Sequence, residues 1–214
     1  MHILGYDPGG NGKHGVAALR VVGERPVELK THCEATARKA FEWLAQFEGP
    51  IALGVDTLLA WSGSESGCRQ ADLALRKNYN LSEKSVVAPN GLFGAMSLSG
   101  AFVATMLVAS SPSRPPKLFE THPKVLYLEK WKSKYNWKDD EPEMTENLRQ
   151  ALLPAPLPPR MKEHEFDAAF SAYAALKALY GSWGLNDLYL ADKEHLVFPA
   201  GNATYPWPVA LKSL

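Results

Sequence analysis

Three short apolar runs in the chain each end in a carboxylate: Ile3-Leu-Gly-Tyr-Asp7, Ile51-Ala-Leu-Gly-Val-Asp56 and Lys117-Leu-Phe-Glu120. A fourth acid, Asp167, interrupts the apolar segment Glu165-Phe-Asp-Ala-Ala-Phe-Ser-Ala-Tyr-Ala-Ala-Leu. Buried parallel strands read as continuous apolar runs, and ligands of open α/β sheets gather beyond the carboxyl ends of the strands. Acids at three strand ends therefore point into one crevice, with a helix able to add a fourth. Clustered carboxylates repel one another unless a cation or a shared proton offsets them. Mg²⁺ and Mn²⁺ both prefer oxygen ligands, so either is the expected cofactor.

Each acid also has an ordinary explanation. Asp7 precedes Pro8 and can start a turn. Asp56 precedes Thr57 and can cap one. Glu120-Thr-His-Pro123 reads as a helix entry, with Thr121 or His122 near the N-cap. Asp167 is the sharpest of the four, because it lies among Phe166, Ala168, Ala169 and Phe170, and carboxylates are rarely buried unless paired or bound to metal. Glu163, four residues earlier, shares its helix face, and His164 lies three residues earlier. The expected catalytic set is Asp7, Asp56, Glu120 and Asp167. The expected metal ligands are Asp7, Asp56, Asp167 and Glu163.

The elements that must position these side chains follow from pattern. Residues 2–7, 15–22 and 27–33 read as an antiparallel meander with turn chemistry at Pro8-Gly-Gly-Asn-Gly12 and Gly23-Glu-Arg-Pro26. Ala37, Phe41, Leu44 and Phe47 follow helical spacing, and Gly49-Pro50 stops that helix before strand 51–56. Trp61 to Gly67 reads as a flexible loop, Arg69 to Lys77 and Leu92 to Ala109 as helices, and 117–120 as the last core strand. A helix follows Pro123. Lys132 to Glu143 is polar and reads as an exposed excursion before a short helix from Thr145 to Leu153. Glu163 to Tyr180 is the strongest helix, and Leu188-Tyr-Leu190 is expected to pair with Leu196-Val-Phe198 in a terminal hairpin. The result is an α/β chain, one domain over residues 1–214 with helical insertions and a C-terminal hairpin.

Its pieces resemble the RNase H-like family known as domain of unknown function 429, whose members are described as predicted nucleases. The resemblance rests on Gly5-Tyr-Asp7-Pro-Gly-Gly, Gly54-Val-Asp56, Cys68-Arg-Gln-Ala-Asp72-Leu-Ala-Leu-Arg76, Phe119-Glu-Thr-His-Pro123 and Glu163-His-Glu-Phe-Asp167-Ala. It implies an RNase H-like five-stranded mixed sheet of order 3-2-1-4-5 flanked by helices, with Asp7 and Asp56 side by side. Where relatives carry paired aspartates before the last one, this chain has Glu163 and His164. The implied activity is a divalent-metal nuclease or phosphodiesterase, with DNA or RNA as partner.

Arg69, Arg76 and His122 are the candidate substrate contacts, since guanidinium groups match phosphates. The alternative for the arginines is a solvated helix face with an Asp72–Arg76 pair. Lys124, Lys130, Lys132 and Lys134 interleave with Trp131, Tyr135 and Trp137, a mix that suits a single strand or a plain amphipathic surface. Gly9-Gly-Asn-Gly12 resembles a phosphate-cradling turn. This keeps open a nucleotide-binding phosphotransferase of the actin and sugar-kinase type, and a non-catalytic binding module is the third reading. The formal net charge is zero, so no global electrostatic attraction to nucleic acid is built in. Cys33 and Cys68 have no metal spacing and are expected as reduced thiols. No signal peptide or membrane span is apparent, so a cytoplasmic protein without a membrane partner is expected.

Overall fold

The computed structural model describes residues 1–10, 12–63, 67–87 and 94–211. Part of the Gly9–Gly12 turn, the middle of the Trp61–Gly67 loop and the start of the Leu92–Ala109 helix lie outside the described residues. Strand β1 (His2–Pro8) is apolar and buried along its length, and it pairs antiparallel with β2 (His14–Val22). β2 pairs antiparallel with β3 (Arg25–Glu34). On its other edge β1 runs parallel to β4 (Pro50–Val55), and β4 runs parallel to β6 (Lys117–Glu120). This is the mixed strand order that the resemblance implied for the five core strands, with one addition. The two-residue strand β8 (Ala203–Thr204) adds to β6 in parallel, giving six strands in the order β3-β2-β1-β4-β6-β8.

The terminal hairpin does not form. Leu196–Val197 (β7) pairs instead with Trp61–Ser62 (β5) in a separate antiparallel ribbon. The segment 188–190 turns inward, where Leu188 and Tyr189 are buried. A strand edge elsewhere in the chain met Leu196 and Val197, which local alternation cannot foresee.

Helix α1 (Ala37–Leu44) starts where the Thr36 hydroxyl accepts a hydrogen bond from the Lys39 N–H at 3.2 Å. Helices α2 (Gln70–Tyr79), α3 (Gly94–Ser110) and α4 (Pro123–Trp131) follow, the last opened by a proline that has no N–H to leave unpaired. The polar stretch expected as an excursion is folded. Its second half enters α5 (Trp137–Ala151), which kinks at Asp140 before Pro142. Trp137, Met144 and Leu148 are one to two turns apart and give that helix its buried side, with the Trp137 ring 5.0 Å from Phe166.

Helix α6 (Glu163–Tyr180) is buried without a break from Phe166 to Leu176, as a helix apolar all round must be. It crosses β1, β2 and β4 at a distance that only glycine permits. A Cβ on Gly5 would lie 1.8 Å from the Ala168 carbonyl oxygen, and one on Gly54 would lie 2.1 Å from that of Ser171. Gly5 and Gly54 are register partners on the parallel β1–β4 pair. The next residue on each strand faces the opposite way: a Cβ on Gly100 of α3 would meet Val55 and Thr57, so α3 lies on the side away from α6. Among the described residues no helix is long and apolar enough to cross a membrane, and Cys33 and Cys68 form no disulfide.

Candidate metal and phosphate site

Two residues beyond each glycine, on the same face, stands an aspartate. Asp7 follows Gly5 and Asp56 follows Gly54, and the Asp56 N–H donates to the Tyr6 carbonyl at 2.8 Å, holding the two strand ends together. Both acids therefore lie beneath the first turns of α6, from which Asp167 descends. Asp7 and Asp167 are buried, and Asp56 keeps part of its surface on the neighbouring cavity.

The charge of Asp7 disturbs both of the other carboxyls. Burial raises Asp167 well above its ordinary value, and the charges of Asp7 and Asp56 add to the effect. Burial likewise raises Asp56, followed by the charge of Asp7. Asp7 is raised by burial, against the pull of a hydrogen bond from His164 Nδ1 at 2.5 Å. The Tyr135 hydroxyl donates to Asp167 Oδ1 at 2.8 Å and approaches Glu163 Oε1 at 3.5 Å.

Lys124 completes the group. Its Nζ lies 3.8 Å from Glu163 Oε1 and sits over the Tyr135 ring. Burial alone would lower the ammonium, but Asp167, Asp56, Glu163 and Asp7 together raise it. The predicted metal ligands Asp7, Asp56, Asp167 and Glu163 thus belong to one electrostatic unit. As they stand, no three His, Cys, Asp or Glu side chains among the described residues converge to hold a metal ion. The geometry explains why: Asp7 is turned to His164, Asp167 to Tyr135 and Glu163 to Lys124. The donor chemistry suits Mg²⁺ or Mn²⁺, being carboxylate oxygen throughout, and closing the site requires these acids to change partners.

Glu120 has a different environment. It accepts from Arg69 Nη1 at 2.8 Å, Arg69 Nη2 at 2.7 Å and the Leu59 N–H at 2.6 Å, and from the Tyr189 hydroxyl. Burial pushes its carboxyl up, and Arg69 acts against that. Arg69 in turn grips Asp72 through Nε at 2.9 Å and Nη2 at 2.7 Å, and is itself 1% exposed. The solvated face expected for this helix is therefore interior at Arg69 and Asp72. The expected Asp72–Arg76 pair is replaced by Asp72–Arg69, while Arg76 Nε donates to the Val86 carbonyl at 2.8 Å. Tyr189, the remaining partner in this network, carries no sequence signal, because it joins from 120 residues away.

His122 lines the cavity together with Asp56, Glu120 and Lys124. Its Nε2–H donates to the Ser85 carbonyl at 3.0 Å, and burial pushes the ring down to about 4. Its Nδ1 and the Thr57 hydroxyl are buried without partners among the described residues. The expected aromatic platform is largely spent on packing: Trp131 lies 5.3 Å from Phe170, and Tyr135 lies 6.2 Å from Phe166. Lys124 and Lys134 still face the cavity. His14 is held by the Tyr6 hydroxyl at 2.8 Å. No protein-family model matches the chain, and no curated protein sequence matches it.

Proposed function

We propose that the chain is a divalent-metal-dependent phosphodiesterase acting on nucleic acid, of the RNase H-like kind that its motifs resemble. The observation that carries this reading is the placement of Asp7 and Asp56 at adjacent strand ends beneath Asp167, where the charge of Asp7 raises both of the other carboxyls and all three act on Lys124. Burying such a group is costly unless a cation compensates it.

Asp7, Asp56, Asp167 and Glu163 are the residues that would hold Mg²⁺ or Mn²⁺, and the bound ion would activate water and neutralise charge on the phosphate. The remaining work falls to the chain itself. Lys124, relieved of compensating the acids, is placed to meet a phosphate oxygen at the cavity mouth. His164 Nδ1 holds the proton that Asp7 would otherwise need. Glu120 acts through Arg69 and Leu59 as a positioning residue at the end of β6.

The test is a calorimetric titration of Mn²⁺ and Mg²⁺ into wild type and the Asp7→Asn/Asp167→Asn double variant, with and without a short oligonucleotide. Saturable binding in wild type, lost in the double variant, together with ion-dependent cleavage, is expected. No binding under either condition overturns the reading in favour of a non-catalytic module.

A further inference from the structure

The cavity beside Asp56 has a volume of about 460 Å³, within the range of pockets that enclose one small organic molecule. Its wall is apolar at Val86, Met96, Val125 and Leu128, and its mouth carries Lys84, Lys124 and Lys134. An inorganic anion would use only the lysines, and a purely apolar guest only the wall. A ligand that uses both has a flat or apolar body and a phosphate.

Two further atoms sharpen the specification. Thr57 is 8% exposed, and its Oγ1 is buried with no partner among the described residues. Among the same residues His122 Nδ1 is buried with no partner as well. Buried polar groups are almost always hydrogen-bonded, so each orphan calls for an explanation. Because His122 Nε2–H donates to the Ser85 carbonyl, a neutral ring leaves Nδ1 as an acceptor only. The guest must therefore bring a donor to His122, while the Thr57 hydroxyl can donate or accept. Every nucleobase brings such a donor, an exocyclic amine on adenine, cytosine and guanine or the ring N–H of uracil, together with acceptors and a flat body that suits the apolar wall.

We propose that this cavity seats one nucleotide unit, its base against Thr57 and His122 and its phosphate at the lysine-lined mouth next to Asp56. The substrate ester would then reach the carboxylates one nucleotide at a time, an assignment that rests on the hydrolytic reading above. A free nucleotide and the terminal unit of a single strand present the same chemistry.

The experiment is calorimetric binding of AMP, UMP, ribose 5-phosphate and inorganic phosphate without divalent ions, so that it does not depend on hydrolysis. Wild type is compared with Thr57→Val and with the cavity-filling Met96→Trp, and a short oligoadenylate distinguishes the strand end from the free nucleotide. AMP and UMP are each expected to bind about tenfold more tightly than ribose 5-phosphate, since a site built for hydrogen bonds rejects analogues that leave it unpaired. Thr57→Val should weaken AMP about fivefold, the scale of one lost hydrogen bond, without lowering the melting temperature. Met96→Trp should abolish AMP binding. Equal binding of AMP and ribose 5-phosphate, or unchanged AMP affinity in both variants, overturns the proposal. Preference for AMP over ribose 5-phosphate without any ion-dependent cleavage would remove the hydrolytic reading and leave the pocket; cleavage without that preference would do the reverse.

Discussion

His164 Nδ1 lies 2.5 Å from Asp7 Oδ2, joining the first turn of α6 to the end of β1 across 157 positions of sequence. The hydrogen bond to Asp7 raises the His164 ring above its ordinary 6.5, although burial opposes it. The pair thus stores a proton at the place where a metal ion would need a bare carboxylate oxygen. Where the ring is protonated, it and the Lys124 ammonium are the cations that face these acids.

Metal binding should therefore release the His164 proton. Ligands must be deprotonated to bind, so affinity follows pH. The direction is fixed by the raised value: below it the imidazolium competes for Asp7, and above it the competition fades, so Mn²⁺ affinity rises with pH through the range above 6.5. Calorimetry in buffers of different ionisation enthalpy should show about one proton fewer released by His164→Asn than by wild type. Equal release in the two proteins would remove His164 from the linkage.

Removing one acid should stabilise the metal-free protein. Folding raises Asp167 well above 3.8, so the folded state holds its proton at pH values where the unfolded chain has lost it. Below 3.8 both states are protonated and the residue costs nothing; as pH rises past that value the folded state is progressively penalised. Asp167→Asn should accordingly change urea stability little near pH 4 and raise it near pH 7.5. Saturating Mn²⁺ should reverse the order at the higher pH, because only wild type gains from the ion. A variant less stable than metal-free wild type at pH 7.5 would argue for Asp167 as an ordinary hydrogen-bonding residue with Tyr135.

The close approach of α6 gives a separate handle. A methyl group on Gly5 would lie 1.8 Å from the Ala168 carbonyl oxygen, a backbone atom that no rotamer change can move. Gly5→Ala should cost at least about 1–3 kcal/mol, the scale of overpacking, and should weaken Mn²⁺ binding by lifting Asp167 off Asp7 and Asp56. Gly10→Ala meets nothing within 4 Å and is the matched control. Urea denaturation together with ion titration checks both effects, and a Gly5→Ala protein with wild-type ion affinity would show that helix height does not set the site.

The same glycines explain what could be read from sequence. Gly-Tyr-Asp and Gly-Val-Asp put a small residue and an acid on one strand face, and continuous apolar flanks mark both strands as interior. That the two strands are neighbours was implied by the family resemblance alone, and the pairing of Gly5 with Gly54 beneath α6 is a finding of the structure. The fate of Glu120 and Arg69 did not, because their roles depend on Tyr189 and on a loop carbonyl at Ala60. The second half of α5 was legible as the helix from Thr145, but its first half was not: Lys138, Asp139, Asp140 and Glu141 mask a stripe that only Trp137, Met144 and Leu148 reveal. The pairing of Leu196 with Ser62 was beyond local pattern altogether.

Arg69 provides the last prediction, since two roles for it diverge. As a phosphate contact it would be dispensable for folding and needed for binding. Its geometry says otherwise, with both acids at 2.7 Å from Nη2 and the Tyr189 ring 5.5 Å from the guanidinium carbon. Removing one partner of a buried charge network leaves the others uncompensated, so Arg69→Met should lose about 3–5 kcal/mol of stability. Lysine cannot reproduce the two-sided fork, so Arg69→Lys should also be destabilised. Glu120→Gln combined with Arg69→Met should recover part of the loss, because the stranded carboxylate is gone. Urea denaturation of the single and double variants gives the coupling directly. A stable Arg69→Met protein with weakened oligonucleotide binding would return this residue to the substrate-binding set.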